Sequence, residues 1–249
     1  MRLIGHRGAR GEAPENTLSG FRYLRGLGVR AVELDIQVSS DRELVVIHDN
    51  SLERTTLATG EVRKTSSRDL AGIDATRKAF PHWPVSEGVP LLQDVMAILK
   101  DFEHIQFEVK AATEEDCQVV AEAFPRLWRT FGFGERALTT SFNPRYLHLV
   151  REAAPDIPRG FLFEQDYQGN PVDQALALGC VSLGPHQARC DAPLVDAARE
   201  AGLRVSTWTV NDADRMQALH RLGIEGIITD FPARALEQCA GLFMPVTPP

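Results

Sequence analysis

Cysteine is scarce in this 249-residue chain: Cys117, Cys180, Cys190 and Cys239 are its only four. No two stand in a C-x-x-C spacing or a short Cys/His cluster, which sets aside a zinc ribbon and a redox motif. Free thiols in a reducing compartment are expected. Long apolar runs are also missing, since no stretch approaches the ~18 residues of a membrane span. The opening MRLIGHRGARG has no apolar core and cleavage site of a secretion signal, so a cytoplasmic location is expected. Nor is there a basic excess: 27 Lys and Arg against 34 Asp and Glu leave a formal charge of −7. Nucleic acid is therefore a poor partner, because binding it calls for a basic surface. No internal repeat, Gly-rich phosphate loop, HExxH or GxSxG motif occurs.

What is present is an ordinary globular composition, 43% apolar and 24% charged. A chain of this length buries a full core without disulfides or a structural metal. Compact runs rich in Val, Ile, Leu, Thr and Phe predict strands at Leu3–Gly8, Ala31–Val38, Ile105–Lys110, Ala137–Phe142, Arg159–Glu164, Cys180–Gly184, Arg204–Val210 and Gly226–Asp230. Helical periodicity falls between them at Thr17–Leu27, Leu91–Phe102, Glu114–Phe131, Arg145–Ala154, Pro193–Ala201 and Asp212–Leu222. Gly28, Gly179, Gly202 and Gly223 mark helix ends. Eight alternating β and α units in this length predict an α/β fold, a (β/α)8 TIM barrel, spanning residues 1–249 as one domain.

Two segments depart from that alternation. Leu44–Asp49 follows Val38 after only SSDRE, too short for a parallel crossover, so the two form an antiparallel hairpin extending strand 2. A two-residue turn at Asp41-Arg42 sets Ser40 against Glu43 and Asp35 opposite His48, so that Glu33, Asp35 and His48 share a face. Residues 51–90 carry no long periodicity and many Gly, Pro, Ser and Thr; they are expected to form a small insertion over one end of the barrel. The tail MPVTPP is expected to fray.

The chemistry-bearing residues sit at predicted strand ends, where barrel enzymes place theirs. Gly5-His6-Arg7-Gly8 ends the first strand. Imidazole moves protons near neutral pH and guanidinium clamps oxyanions, a pair that suits a phosphoryl group. A strand-end salt bridge is the plainer reading of His6-Arg7 alone. Asn16 reads as the N-cap of the first helix, and Glu15 as a partner for Arg7. In VELDIQV, Glu33 and Asp35 point one way, about 6–7 Å apart along the strand. Buried carboxylates need compensation. A hard divalent cation supplies it; ion pairing with arginines inside the barrel is the alternative.

Glu108 and Lys110 repeat the pattern, with Glu108 placed to complete a three-carboxylate site and Lys110 to counter a phosphate or a carboxylate. His48 closes the hairpin beside Asp49. His82, His104, His148, His186 and His220 read as loop or helix residues, with His186 the one nearest a strand end. Phe142 and Trp208 are placed to wall the barrel mouth against a small organic group, or to pack in the core. Asp230 ends a strand and reads as a turn cap.

Taken together, GHRGARGEAPENT, VELDIQ, VVIHD, FEVK, TSF, STWTVN and IITDFP resemble the glycerophosphodiester phosphodiesterase family along nearly the whole chain, its short bacterial cytoplasmic members most closely. The family's order of HR, ExD and H stands here as His6-Arg7, Glu33-x-Asp35 and His48; VPLLQDVM departs from the usual acidic helix start. The resemblance implies one divalent cation, Mg²⁺ or Ca²⁺, on Glu33, Asp35 and Glu108. It also implies His6 and His48 as the acid–base pair, with Arg7 and Lys110 neutralising the phosphate. Glycerophosphocholine or glycerophosphoethanolamine would yield glycerol 3-phosphate and an alcohol, by attack of water or through a cyclic phosphate. A lysophospholipase D-type activity and a non-catalytic phosphodiester-binding barrel are the other readings, and either a monomer or a homodimer is compatible.

Overall fold

A computed structural model describes residues 1–245. Nine strands are found among them: β1 (Arg2–His6), β2 (Ala31–Val38), β3 (Leu44–Val46), β4 (His104–Val109), β5 (Ala137–Ser141), β6 (Arg159–Phe163), β7 (Ser182–Pro185), β8 (Arg204–Thr207) and β9 (Gly226–Thr229). All but β3 are parallel, and β1 pairs with both β2 and β9, which closes the eight-stranded TIM barrel. The register Gly5↔Val32, His6↔Glu33 and Asp35↔Glu108 brings the acidic positions level with the first strand's end.

The crossovers run through α1 (Leu18–Gly26), α3 (Leu92–Ile98), α4 (Glu114–Phe131), α5 (Pro144–Ala153), α6 (Pro171–Ala177), α7 (Ala192–Glu200) and α8 (Ala213–Arg221), with α9 (Pro232–Cys239) following β9 and the short α2 (Ser67–Gly72) in the insertion. Local sequence explains their starts. Thr113 and Asp116 form a reciprocal capping box on α4. Asn143 and Asn170 cap helices whose first residue is proline, where a missing N–H costs nothing. Phe107 points outward from β4 into a ring cluster with Phe124, Trp128 and Phe133, centroids 5.4–6.1 Å away, and this layer joins barrel to helices.

The structure corrects several local expectations. The hairpin pairs Val38 with Leu44 and Ile36 with Val46, one residue away from the predicted register. Its loop has three residues rather than two: Ser39 faces Glu43, and Arg42 takes a left-handed φ of 64° after the turn. Ile47, not His48, therefore lies opposite Asp35. Asn16 is not the N-cap of α1; Thr17 is, accepting from the Gly20 N–H. His104 opens β4 and is buried. In the insertion, α2 and a 3-10 turn at Val62–Lys64 fold over a second small core of Val45, Ile47, Leu52, Val62, Leu70 and Val89. Residues 246–249 of the expected frayed tail lie outside the described residues.

Candidate active site

The mouth of the barrel is built from a reversal after β1. Gly5 allows it, because a Cβ there would lie 2.0 Å from the Gly8 carbonyl oxygen. Arg7 (φ 52°) and Gly8 (φ 91°) then turn the chain back. His6 and Arg7 are left at the rim of a cavity of about 230 Å³, whose wall also includes Glu33, His48, Glu108, Lys110, Phe142 and Trp208. Of the nine residues assigned to the metal, acid–base, phosphate and wall positions, all but Asp35 line this cavity, and Asp35 is buried beside Glu108.

Glu33, Asp35 and Glu108 are buried on the inner face, and one oxygen from each lies within 4.8 Å of the others. Glu33 Oε1, Asp35 Oδ1 and Glu108 Oε1 accept no well-formed hydrogen bond. Three anionic oxygens so placed suit a hard divalent cation. Their electrostatics agree. Burial, then Asp35 and Glu108, push the Glu33 carboxyl well above the ordinary range. Burial also raises Glu108, with Lys110 opposing it and Asp35 adding to it. At Asp35 burial acts upward as well, but Lys110, Arg7, His48 and the Asn16 hydrogen bond outweigh it and hold the carboxylate ionised.

Cations surround this cluster. Arg7 Nε lies 3.1 Å from Asp35 Oδ2, its backbone N–H donates to Glu33, and Nη1 reaches Glu15 at 2.9 Å. Lys110 Nζ contacts Glu108 and sits 3.4 Å from Asp35 Oδ1, and its ammonium lies 5.5 Å from the centre of the Phe142 ring. Trp208 is fixed by its indole N–H on the Gly184 carbonyl and meets Phe142 and His186 edge to face.

Both histidines are oriented by a carboxylate through Nδ1. His6 Nδ1 is 2.6 Å from Asp230 Oδ1, and its Nε2 is 3.9 Å from Glu33 Oε2. His48 Nδ1 is 2.6 Å from Asp49 Oδ1. The chain leaves β3 at Val46 and bends, so His48 reaches the cavity in spite of the shifted register. Burial is the largest influence on each ring and leaves both below the usual histidine range, despite their carboxylate partners.

Four further side chains had no site role in the sequence reading. Asn16, held at φ 55°, donates from Nδ2 to Asp35 Oδ2 and fixes that carboxylate. Asp230 orients His6 rather than only capping a turn. Arg10 approaches Asp230 and Glu15 at 3.6 and 3.8 Å. Arg54, from the insertion, binds Glu15 and Asp49 together. The pairing of β1 with β9 is what joins Asp230 to His6, and only the closed barrel reveals it.

Eight parallel strands close a TIM barrel whose C-terminal mouth gathers two histidines and a cluster of buried carboxylates, a constellation suited to hydrolytic chemistry. A model of the glycerophosphoryl diester phosphodiesterase family matches residues 6–234. The chain is 31% identical over 231 residues to a glycerophosphodiester phosphodiesterase of Caldanaerobacter subterraneus, covering 92% of this chain and 94% of that one. A Bacillus altitudinis glycerophosphodiester phosphodiesterase is 28% identical over 240 residues, with 95% and 97% covered. In structure it is similar to an Oleispira antarctica phosphodiesterase solved with its product sn-glycerol-3-phosphate, at TM-score 0.87 and 26% identity, with 96% and 97% of the two chains covered. The protein belongs to the glycerophosphoryl diester phosphodiesterase family and is a glycerophosphodiester phosphodiesterase. Among the described residues no helix is long and apolar enough to cross a membrane.

Proposed function

We propose that the protein hydrolyses glycerophosphodiesters such as glycerophosphocholine and glycerophosphoethanolamine to glycerol 3-phosphate and the free alcohol, with His6 and His48 as its acid–base pair. One observation carries this reading: two imidazoles, each held through Nδ1 at 2.6 Å from a carboxylate oxygen, open onto one cavity that Glu33 and Glu108 help to wall. The relative from Oleispira antarctica, which holds sn-glycerol-3-phosphate, supports the product.

Fixing Nδ1–H on a carboxylate leaves Nε2 of each ring to take or give a proton. Burial keeps both rings neutral before substrate enters, so one can accept a proton from the attacking oxygen. The anionic phosphodiester then favours the protonated form of the other ring, which protonates the departing alkoxide. Arg7 and Lys110 stabilise charge on the non-bridging oxygens. When bound by Glu33, Asp35 and Glu108, Mg²⁺ or Ca²⁺ supplies Lewis-acid stabilisation of the same charge. Phe142 and Trp208 offer an apolar wall to the organic part of the substrate.

The test is product analysis on glycerophosphocholine with purified wild type, His6→Ala and His48→Ala. Wild type should release glycerol 3-phosphate and choline, and each variant should lose about 10²–10⁴-fold in kcat while remaining folded. Faster turnover of lysophosphatidylcholine would point to a lysophospholipase D-type enzyme, and tight binding without turnover to a binding barrel; either result contradicts the reading.

A further inference from the structure

Four charged side chains and an imidazole run in an unbroken chain beside the cavity. Arg7 Nη1 contacts Glu15 Oε1 at 2.9 Å. Glu15 receives both terminal nitrogens of Arg54, at 2.7 and 2.8 Å. The same guanidinium binds Asp49 through Nε and, at 3.2 Å, through Nη2. Asp49 Oδ1 in turn holds His48 Nδ1. Other surface ion pairs, such as Lys64–Glu61 and Arg199–Asp196, join neighbouring side chains and lead nowhere. This chain begins and ends on two groups that line the cavity.

Arg54 stands on backbone that is itself pinned. Leu52 is buried in the insertion's small core, its N–H donates to Gly60, and the Thr56 hydroxyl and N–H both return to the Leu52 carbonyl. The Gly60 N–H closes the loop on Glu53. The guanidinium's rigid fork suits two carboxylates at once, a geometry that a lysine ammonium does not reproduce.

We propose that Arg54 is a positioning residue, locking Arg7 and His48 into a single relative geometry by gripping Glu15 and Asp49 together. The inference rests on the reading that Arg7 and His48 both act on the phosphodiester. It gives the insertion a role in turnover, since a side chain outside the barrel strands sets the spacing between the phosphate clamp and one of the two imidazoles. Removing the fork leaves Glu15 to Arg7 and Arg10 alone and Asp49 to His48 alone, so the two orienting carboxylates lose the side chain that bridges them.

The experiment measures kcat, KM and thermal midpoint for wild type, Arg54→Ala, Arg54→Gln and Arg54→Lys on glycerophosphocholine, with and without added guanidinium at non-denaturing concentration. Loss of such supporting contacts typically costs about 10–100-fold, and we expect that fall in kcat with little change in KM or midpoint. Guanidinium should restore part of the loss in Arg54→Ala, and lysine should not substitute. Unchanged kcat in Arg54→Ala overturns the inference. So does a loss that only follows the unfolded fraction in both Arg54→Ala and Arg54→Gln, without guanidinium recovery. A wild type that does not turn over glycerophosphocholine defeats the functional reading, and the inference with it; turnover unaffected by Arg54 defeats the inference alone.

Discussion

Replacing Asp230 by asparagine tests the His6 dyad without altering its shape. The outcome follows from where asparagine must point. Asp230 Oδ1 faces His6 Nδ1 at 2.6 Å, and Oδ2 accepts from Asn211 Nδ2 at 2.9 Å. Asn211 has no freedom to flip, because its Oδ1 accepts from the Thr229 hydroxyl and the Asp230 N–H at 3.0 and 2.9 Å. The new carboxamide oxygen must therefore face Asn211, which turns its NH₂ toward His6. A donor at that place forces Nδ1 to accept, moves the imidazole proton to Nε2 and points the wrong tautomer at the cavity. Where an aspartate–histidine pair has been disabled in this way, the cost reaches ~10⁴ in kcat, and ~10² is a reasonable lower bound for a lost orienting partner. That is about 3–5 kcal/mol of transition-state stabilisation. Steady-state release of glycerol 3-phosphate from glycerophosphocholine measures it, with circular dichroism to verify the fold. A kcat close to wild type in folded Asp230→Asn would refute the assignment of His6 to proton transfer.

Three other outcomes follow from the geometry. Mg²⁺ or Ca²⁺ at a hundred times its Kd should stabilise chelated protein by about 2.7 kcal/mol, roughly 5–10 °C in thermal midpoint, and Glu33→Gln or Glu108→Gln should abolish the shift. Burial, with Arg2 and Arg204 adding, lowers the His104 imidazole to about 3, so the folded state excludes a proton that the unfolded chain binds below its own pKa of 6.5. Its contribution to stability is thus full above pH 6.5 and is lost as pH falls, by about 2 kcal/mol between pH 7 and pH 5; urea unfolding should show a shallower pH dependence in His104→Gln. Phe107→Ala opens the ring cluster against α4 and should cost about 3–5 kcal/mol in urea unfolding while leaving kcat of the folded enzyme unchanged.

Much of this architecture was legible in the sequence because parallel strands buried on both faces read as compact apolar runs. Acidic residues inside such runs stand out, and Glu33, Asp35 and Glu108 were visible for that reason. Residues whose role depends on closure were not. Asp230 is over two hundred positions from His6, and only the β1–β9 pairing brings them together. Asn16 looked like a cap because asparagine favours helix starts; its left-handed backbone instead turns the amide toward Asp35. The hairpin register slipped because Arg42 takes the positive φ of a three-residue loop without a glycine to announce it. Helices α6 and α9 have seven and eight residues and begin at proline, leaving little periodic signal. Arg54 sits in a segment with no periodicity at all, and its importance lies in two carboxylates that sequence cannot place side by side.

Glu33, Asp35 and Glu108, each offering an oxygen within 4.8 Å of the others, form the proposed cation site for phosphodiester cleavage. Its most direct test is the rate of glycerol 3-phosphate release from glycerophosphocholine by chelated protein, before and after Mg²⁺ or Ca²⁺ is added back. Negligible release is expected without the cation and full recovery with it; undiminished hydrolysis in excess chelator would contradict a metal-dependent reaction.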